Sequence, residues 1–327
     1  MASPLTLATD TADPDGRIVE PRKLTRDLPH GWATLIRDWD RTLRAGNYSP
    51  ATRYNYLLAV AQLARYLNTG DDVPEAAAVR RAQVESFQAW MIETRSAATA
   101  LNKHKALQQF FRWLAEDGEI ERSPMEHVRQ PKTPQPMIPI IHSDDTRRLL
   151  DVCRDRDFTS LRDKAIMRLL ANTGARLSEV ALLHIDDLDM DRDIVRYHGK
   201  GAKDRQVRFG PTTGRALSKY LRIRDRHRHA GSTRRLWLAV RGDRPLSANG
   251  IKLMLRRRGL AAGVAHVHAH RWRHTFAHEW KLAGGDTGDL MLLLGWASEE
   301  MARRYGASAA AERAQQIHAR LKVGEHG

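Results

Sequence analysis

The chain has 327 residues, 42% hydrophobic and 6% aromatic, and 54 Lys and Arg against 39 Asp and Glu leave a formal net charge of +15. That length can hold two domains with cores of their own, while the one cysteine, Cys153, excludes an internal disulfide and a cysteine-based zinc site. No run approaches the ~20 apolar residues of a membrane helix, and MASPLTLATDTADPDG lacks the pattern of a secretory signal, so a cytoplasmic protein with a polar, disordered tail over residues 1–24 is expected.

From residue 25 the pattern is helical. Trp32, Leu35, Ile36, Trp39 and Leu43 form the stripe of an amphipathic helix. Ser49-Pro50 supplies an N-cap and a first-turn proline for a second helix running to about Leu67, which Gly70 and Asp71-Asp72 break. A third over roughly 80–94 buries Val84, Phe87 and Trp90 or Met91. A fourth over 97–116 buries Leu101, His104, Leu107, Phe111 and Leu114 before Gly118. Four helices with short connections predict a bundle over 25–122. Pro124, Pro131, Pro134, Pro136 and Pro139 then predict an extended linker over 123–140, the domain boundary.

The second domain, 141–327, opens with a helix capped by Ser143 and another near 160–172. The period changes to two around 193–209, where Ile194–Tyr197 and Gln206–Phe209 flank the glycine-bearing tip 199–204, predicting a β-hairpin. A short strand is expected over Leu236–Val240, and the rest is helical. Charge is uneven. Residues 1–135 carry 18 basic and 17 acidic side chains, and residues 136–327 carry 36 and 22. Within 194–258 there are 19 basic residues and 3 acidic ones, which fits a polyanionic partner.

Six positions carry chemistry by their order. Arg176 follows Gly174 at a helix junction, with Ser178 and Glu179 in the next first turn; Lys200 stands at the hairpin tip. The run HVHAHRWRHTFAH places His270 and Arg273 on one helix face, and histidines 270, 274 and 278 raise a metal site as an alternative, with no HExxH pattern to support it. Gly295-Trp296 breaks a helix, Ser298 caps the next, and Tyr305 is expected to end that helix before Gly306.

These segments resemble the tyrosine recombinase, or phage integrase, family from about residue 25 to 321, most strongly over 173–305. The family pattern is Arg, Lys on a β-hairpin, His-x-x-Arg, His or Trp, then Tyr nine residues on, matched here by Arg176, Lys200, His270, Arg273, Trp296 and Tyr305. Trp296 stands where many members have histidine, which implies packing or hydrogen bonding at that position in place of proton transfer. The resemblance implies a mainly α fold with a small antiparallel β-sheet in the C-terminal domain. Its two domains, a SAM-like core-binding bundle and a catalytic domain, would close as a C-shaped clamp hinged at the linker. No further domain is expected ahead of the bundle.

The activity implied is site-specific DNA cleavage and rejoining through a 3′-phosphotyrosine at Tyr305, with no metal, cofactor or ATP. Arg176 and Arg273 would grip the phosphate, Lys200 protonate the leaving 5′ oxygen, and His270 bond the phosphate or accept the tyrosine proton. Glu179 would orient Arg176 or His270. Candidate DNA contacts are Lys103, Lys105, Lys203 and Arg205, with the Arg256-Arg257-Arg258 cluster. The partners implied are double-stranded DNA and further copies of the chain, a monomer when free and a homotetramer on two sites, with accessory DNA-bending proteins as further candidates. A type IB topoisomerase and a non-catalytic, sequence-specific DNA-binding protein of the same fold are the competing readings.

Overall fold

The computed structural model describes residues 21–68, 74–134, 139–199, 204–240, 244–296, 298–321 and 324. Of the disordered tail expected over 1–24, residues 1–20 lie outside the described residues, as do the break at 70–72 and the hairpin-tip residues 200–203, whereas residues 21–24 form a helical turn and not a disordered end. The chain divides into two units, Met1–Gln135 and Pro136–Gly327.

In the first unit a single turn, α1 (Pro21–Leu24), precedes α2 (His30–Ala45), α3 (Pro50–Leu67), α4 (Arg81–Thr94) and α5 (Ala97–Glu116). Local chemistry sets two of the starts. Ser49 Oγ accepts the Thr52 N–H at 3.3 Å, and Ser96 Oγ accepts the Thr99 N–H at 3.1 Å. The inward stripes of all four longer helices meet in an aromatic core. Trp39 stacks on Tyr56 at 5.7 Å and meets Phe110 edge-on at 5.2 Å. On α4 Val84, Phe87 and Met91 are buried, while Trp90 stays on the exposed side; on α5 Leu101 is half-buried and Phe110 joins the core.

The proline-rich segment is not extended from its start. Residues 124–127 form a turn, Met125 and Val128 are buried in the bundle core, and Gln88 Nε2 donates to Arg129 O at 2.9 Å. Two apolar side chains with a core in reach outweigh the prolines' preference for extension.

The second unit runs α6 (Ser143–Asp151), α7 (Phe158–Thr173), α8 (Leu177–Leu182), β1 (Leu188–Asp189), β2 (Ile194–Tyr197), β3 (Arg205–Arg208), α9 (Pro211–Arg224), α10 (Ala248–Ala261), α11 (Ala269–Leu282), α12 (Thr287–Leu294) and α13 (Glu299–Leu321). The strands form one antiparallel sheet in the order β1-β2-β3. Helix α7 is the axis of this unit: Ala165, Ile166, Leu169 and Leu170 are wholly buried. A 2.8 Å bond between Thr173 Oγ1 and Tyr197 Oη ties its last turn to the sheet.

Three local expectations are corrected. Ser143 is the first helical residue, and His142 holds the cap position without a side-chain bond. Leu236–Val240 is no strand, only isolated bridges at Arg235 and Leu238. Leu236, Trp237 and Leu238 are all buried, and Leu236 O accepts from Arg224 Nε at 3.0 Å, so side chains take the carbonyl a ladder would have used. Helix α13 does not end at Tyr305 but runs on through Gly306. Ala302 and Ala309 are buried seven residues apart, one face docked on both sides of the glycine, which offsets its ~1 kcal/mol helix penalty.

In the bundle, Arg53 forms a bidentate pair with Asp40, Nε to Oδ1 and Nη2 to Oδ2 both at 2.8 Å, with each residue 5% exposed. Asp40→Ala is expected to destabilise the protein by about 3–5 kcal/mol in urea unfolding, because it strands a buried guanidinium. The double replacement Asp40→Leu with Arg53→Leu should recover most of that loss; equal losses in both variants would contradict this account.

Candidate active site

The site is built around the end of α12, where five carbonyls run out of helical donors. Met291 O accepts the Trp296 N–H and Leu292 O the Gly295 N–H, Gly295 having φ +61° in the left-handed region. The next three are capped by arginines from three separate elements. Arg205 Nε, on β3, donates to Leu293 O at 2.7 Å; Arg273 Nη2, on α11, to Leu294 O at 2.6 Å; Arg176 Nη2, ahead of α8, to Gly295 O at 2.9 Å. Arg273 Nη1 also donates to Gly174 O at 3.0 Å. Gly174 has φ +60°, and a Cβ there would lie 2.8 Å from Leu294 Cδ2, so this turn needs glycine both for its backbone and for the close approach of α12.

Glu179 holds the cations in register. Its Oε1 accepts from Arg176 Nη1 at 2.9 Å and Arg205 Nη1 at 2.8 Å. Its Oε2 accepts from Arg205 Nη2 and the Arg176 N–H, both at 2.7 Å. Burial pushes the Glu179 carboxyl up, but the bidentate Arg205 contact and the two Arg176 bonds outweigh it and bring the group down to about 2. The Arg205 guanidinium lies 4.9 Å from the Tyr197 ring centroid, and that of Arg273 lies 5.3 Å from the Trp296 ring. Three guanidinium groups against one carboxylate leave a positive centre.

The predicted residues separate as follows. Arg176, Arg273, Trp296 and Glu179 meet at this turn. Arg176 has a side chain 43% exposed, whereas Arg273 is 2% exposed, so only the first presents an open guanidinium face. His270 is exposed, its ring edge-on to His274 at 4.4 Å. Lys200 and Lys203 lie outside the described residues; Tyr305 belongs to α13, and its side chain lies outside the described set as well. The lower end of α13 docks through Glu312, whose carboxylate accepts from His278 Nε2 at 2.9 Å, and Arg313, which donates to Lys281 O.

Two candidate DNA contacts are corrected. Arg205 is a buried strut of the arginine cluster, its side chain 10% exposed. Arg258 donates to Asp163 Oδ2 at 3.0 Å and Val152 O at 3.1 Å in a network with buried Arg162, so it does not share the exposure of Arg256 and Arg257. Lys103 is half-buried, with burial lowering its ammonium, and Lys105 is exposed. Sequence reasoning missed Arg205 as a strut, although its position opposite Tyr197 across the hairpin is a legible cation–aromatic pair. It also missed His198, held between Asp187 at 2.9 Å and Asp204 at 3.0 Å and shifted upward first by the Asp187 bond. Asp187 lies on a different element, and no spacing rule reaches it. Among the described residues no three His, Cys, Asp or Glu side chains come together as a metal would need.

The lowered Glu179 group contributes stability that is complete above its ordinary value of 4.5 and is lost as pH falls through about 2. Glu179→Gln should therefore destabilise by about 3 kcal/mol at neutral pH. In urea unfolding that deficit should shrink by more than half at about pH 3; a deficit independent of pH would count against the charge account.

Residues 139–312 match the phage integrase family, and residues 35–119 match the N-terminal SAM-like domain of phage integrases. Tyrosine recombinase XerC of Escherichia coli O157:H7 (strain EC4115 / EHEC) is 32% identical over 232 residues, 71% of this chain and 75% of that protein. In fold, the chain is similar to the XerH site-specific recombinase bound to palindromic difH substrate in a post-cleavage complex, with a TM-score of 0.74, 16% identity, and coverage of 98% of this chain and 92% of that one. It is also similar to a lambda integrase tetramer bound to a Holliday junction, with a TM-score of 0.65, 17% identity, and coverage of 81% and 77%. With the matched segment spanning more than half its length, the chain belongs to the phage integrase family of tyrosine recombinases, enzymes of site-specific DNA cleavage and rejoining.

Proposed function

We propose that this recombinase acts on double-stranded DNA through a covalent 3′-phosphotyrosine at Tyr305. The observation that carries the reading is that Arg176 and Arg273, 97 positions apart in the sequence, donate to the adjacent carbonyls of Gly295 and Leu294, just ahead of Trp296. Two guanidinium groups at that spacing suit the two non-bridging oxygens of one phosphate, whose charge grows in the transition state. A tyrosine of ordinary pKa is about one-thousandth ionised at neutral pH, a deficit of roughly 4 kcal/mol, which the cationic centre helps to offset.

In this scheme the Tyr305 oxygen bonds the phosphorus, the bond to the 5′ oxygen breaks, and Lys200 supplies the proton that leaves with it. His270 bonds the phosphate or takes the tyrosine proton. Attack of a 5′-hydroxyl from a second duplex reverses the sequence and exchanges strands without ATP. Arg273 presents almost no surface, so its engagement by a phosphate requires the Trp296 side of its pocket to shift. The bundle over 25–122, the linker over 123–140 and the catalytic domain over 141–327 would then act together on DNA, with Lys105, Arg256 and Arg257 as backbone contacts. Assembly as a tetramer is supported by the state of lambda integrase on its junction. Among the described residues no helix is long and apolar enough to cross a membrane, which accords with a cytoplasmic enzyme.

The test uses a duplex selected for binding from a random-sequence pool and nicked beside the candidate phosphates. Native protein should give a denaturant-resistant adduct, unaffected by chelator, and Tyr305→Phe should give none. Arg176→Ala should slow adduct formation on the order of 10²–10³-fold. An adduct that survives in Tyr305→Phe would rule the scheme out.

A further inference from the structure

The basic excess of 194–258 is only partly absorbed by the active site, and four of its members, Arg215, Lys219, Arg222 and Arg226, line a second place. Helices α7 and α9 run antiparallel: Gly210 N–H bonds Asn172 Oδ1 at one end, and Phe158 stacks on His227 at 4.6 Å at the other. Along their outer side lies an open groove of about 780 Å³. Lys164 and Arg168 line it from α7, and Arg215, Lys219, Arg222 and Arg226 line it from α9 and the turn beyond. Arg154 and Arg156 also line it, and Asp155 is the one acidic residue in the lining. None of the residues that meet at the end of α12 takes part.

These cations differ from the internal arginines of the same unit in what they touch. Arg162, Arg205, Arg224 and Arg258 are committed to carboxylates or carbonyls of the fold. Among the described residues, the six groove cations of α7, α9 and the following turn have no side-chain hydrogen bond or ion pair, and the α9 members are exposed. Arg215, Lys219 and Arg222 fall at i, i+4 and i+7, with Arg226 following, a cationic edge of about 15 Å. Like charges at that spacing repel and add nothing to the fold. A duplex presents about nine phosphate charges over the same length.

We infer that the α7–α9 groove is a second duplex-binding surface, which holds a DNA backbone segment, independently of base sequence, away from the phosphate that is cleaved. The choice of DNA among polyanions rests on the recombinase reading; the existence of an anionic partner does not. Such a surface raises the local concentration of DNA around an enzyme that must bring two duplexes together.

The probe is a ~30-base-pair random-sequence duplex, titrated by fluorescence anisotropy between about 50 and 200 mM salt, the range over which phosphate contacts dominate the affinity. The fourfold variant Arg215→Gln, Lys219→Gln, Arg222→Gln, Arg226→Gln should bind about tenfold more weakly at the midpoint of that range. It should also flatten the slope of log K against log salt by at least about 2. Its thermal midpoint should stay unchanged, since all four side chains are exposed. An unchanged slope overturns the proposal. As a second measurement, Arg222→Cys offers an accessible thiol beside the buried Cys153 and is labelled with an aryl azide. Cross-linking to the duplex is expected, suppressed by unlabelled duplex. Stronger suppression by polyglutamate or single-stranded RNA at equal charge would overturn the assignment to DNA. Adduct formation at Tyr305, scored separately on the nicked substrate, tests the recombinase reading without involving the groove.

Discussion

The catalytic unit depends on how one short helix ends. At the C-terminus of α12 the backbone satisfies two of its last carbonyls, and Arg205, Arg273 and Arg176 satisfy the next three. Each is a charged donor on a carbonyl at the negative end of a helix dipole, an arrangement worth about 1.5–3 kcal/mol per bond in favourable cases. The same three bonds bring β3, α11 and the α7–α8 junction to the end of α12, the longest of them joining residues 119 positions apart in the sequence. Positioning and stability are one device here: the donors that stabilise α12 also place two guanidinium groups side by side.

Such a concentration of positive charge would not be tolerable alone. Glu179 is its counterweight, a buried carboxylate with four bonds from two arginines. Because it neutralises one charge of three, the cluster stays cationic while none of its members is left without a partner. Arg205 is the strut that makes this work. Each of its three guanidinium nitrogens donates to the protein, leaving Arg176 half-open as the member with a face to offer. The Gly174 turn, where no side chain would fit, lets α12 approach closely enough for Arg273 to span both ends.

Charge elsewhere in the unit follows a different logic. Arg162, Asp163 and Arg258 form a closed internal network that fastens α7 to α10, whereas the cations along α7 and α9 face outward into a groove. A single compositional signal, 19 basic residues against 3 over 194–258, therefore includes both internal struts, Arg205, Arg224 and Arg258, and an outward stripe along α9. Their side chains look alike in sequence, and burial alone separates them.

The sequence by itself determined the helices of the bundle, the β-hairpin, the Gly174 and Gly295 breaks, and the order of residues that marks the family. Those features are local: caps, periodicity and turn chemistry act within a few positions, and Ser49, Ser96 and Asp157 cap helices through bonds to residues at most three away. Only the tertiary structure decided that Arg205 and Arg258 are internal, that Met125 and Val128 belong to the bundle, that Leu236–Val240 makes no strand, and that α13 passes through Gly306. Each of these turned on a partner distant in the chain, Glu179, Asp163, the bundle core, Arg224 and α11 respectively. Burial and long-range bonds outweigh local propensity by more than the fraction of a kcal/mol per residue that propensity supplies, and no spacing rule within the sequence reports where such partners lie.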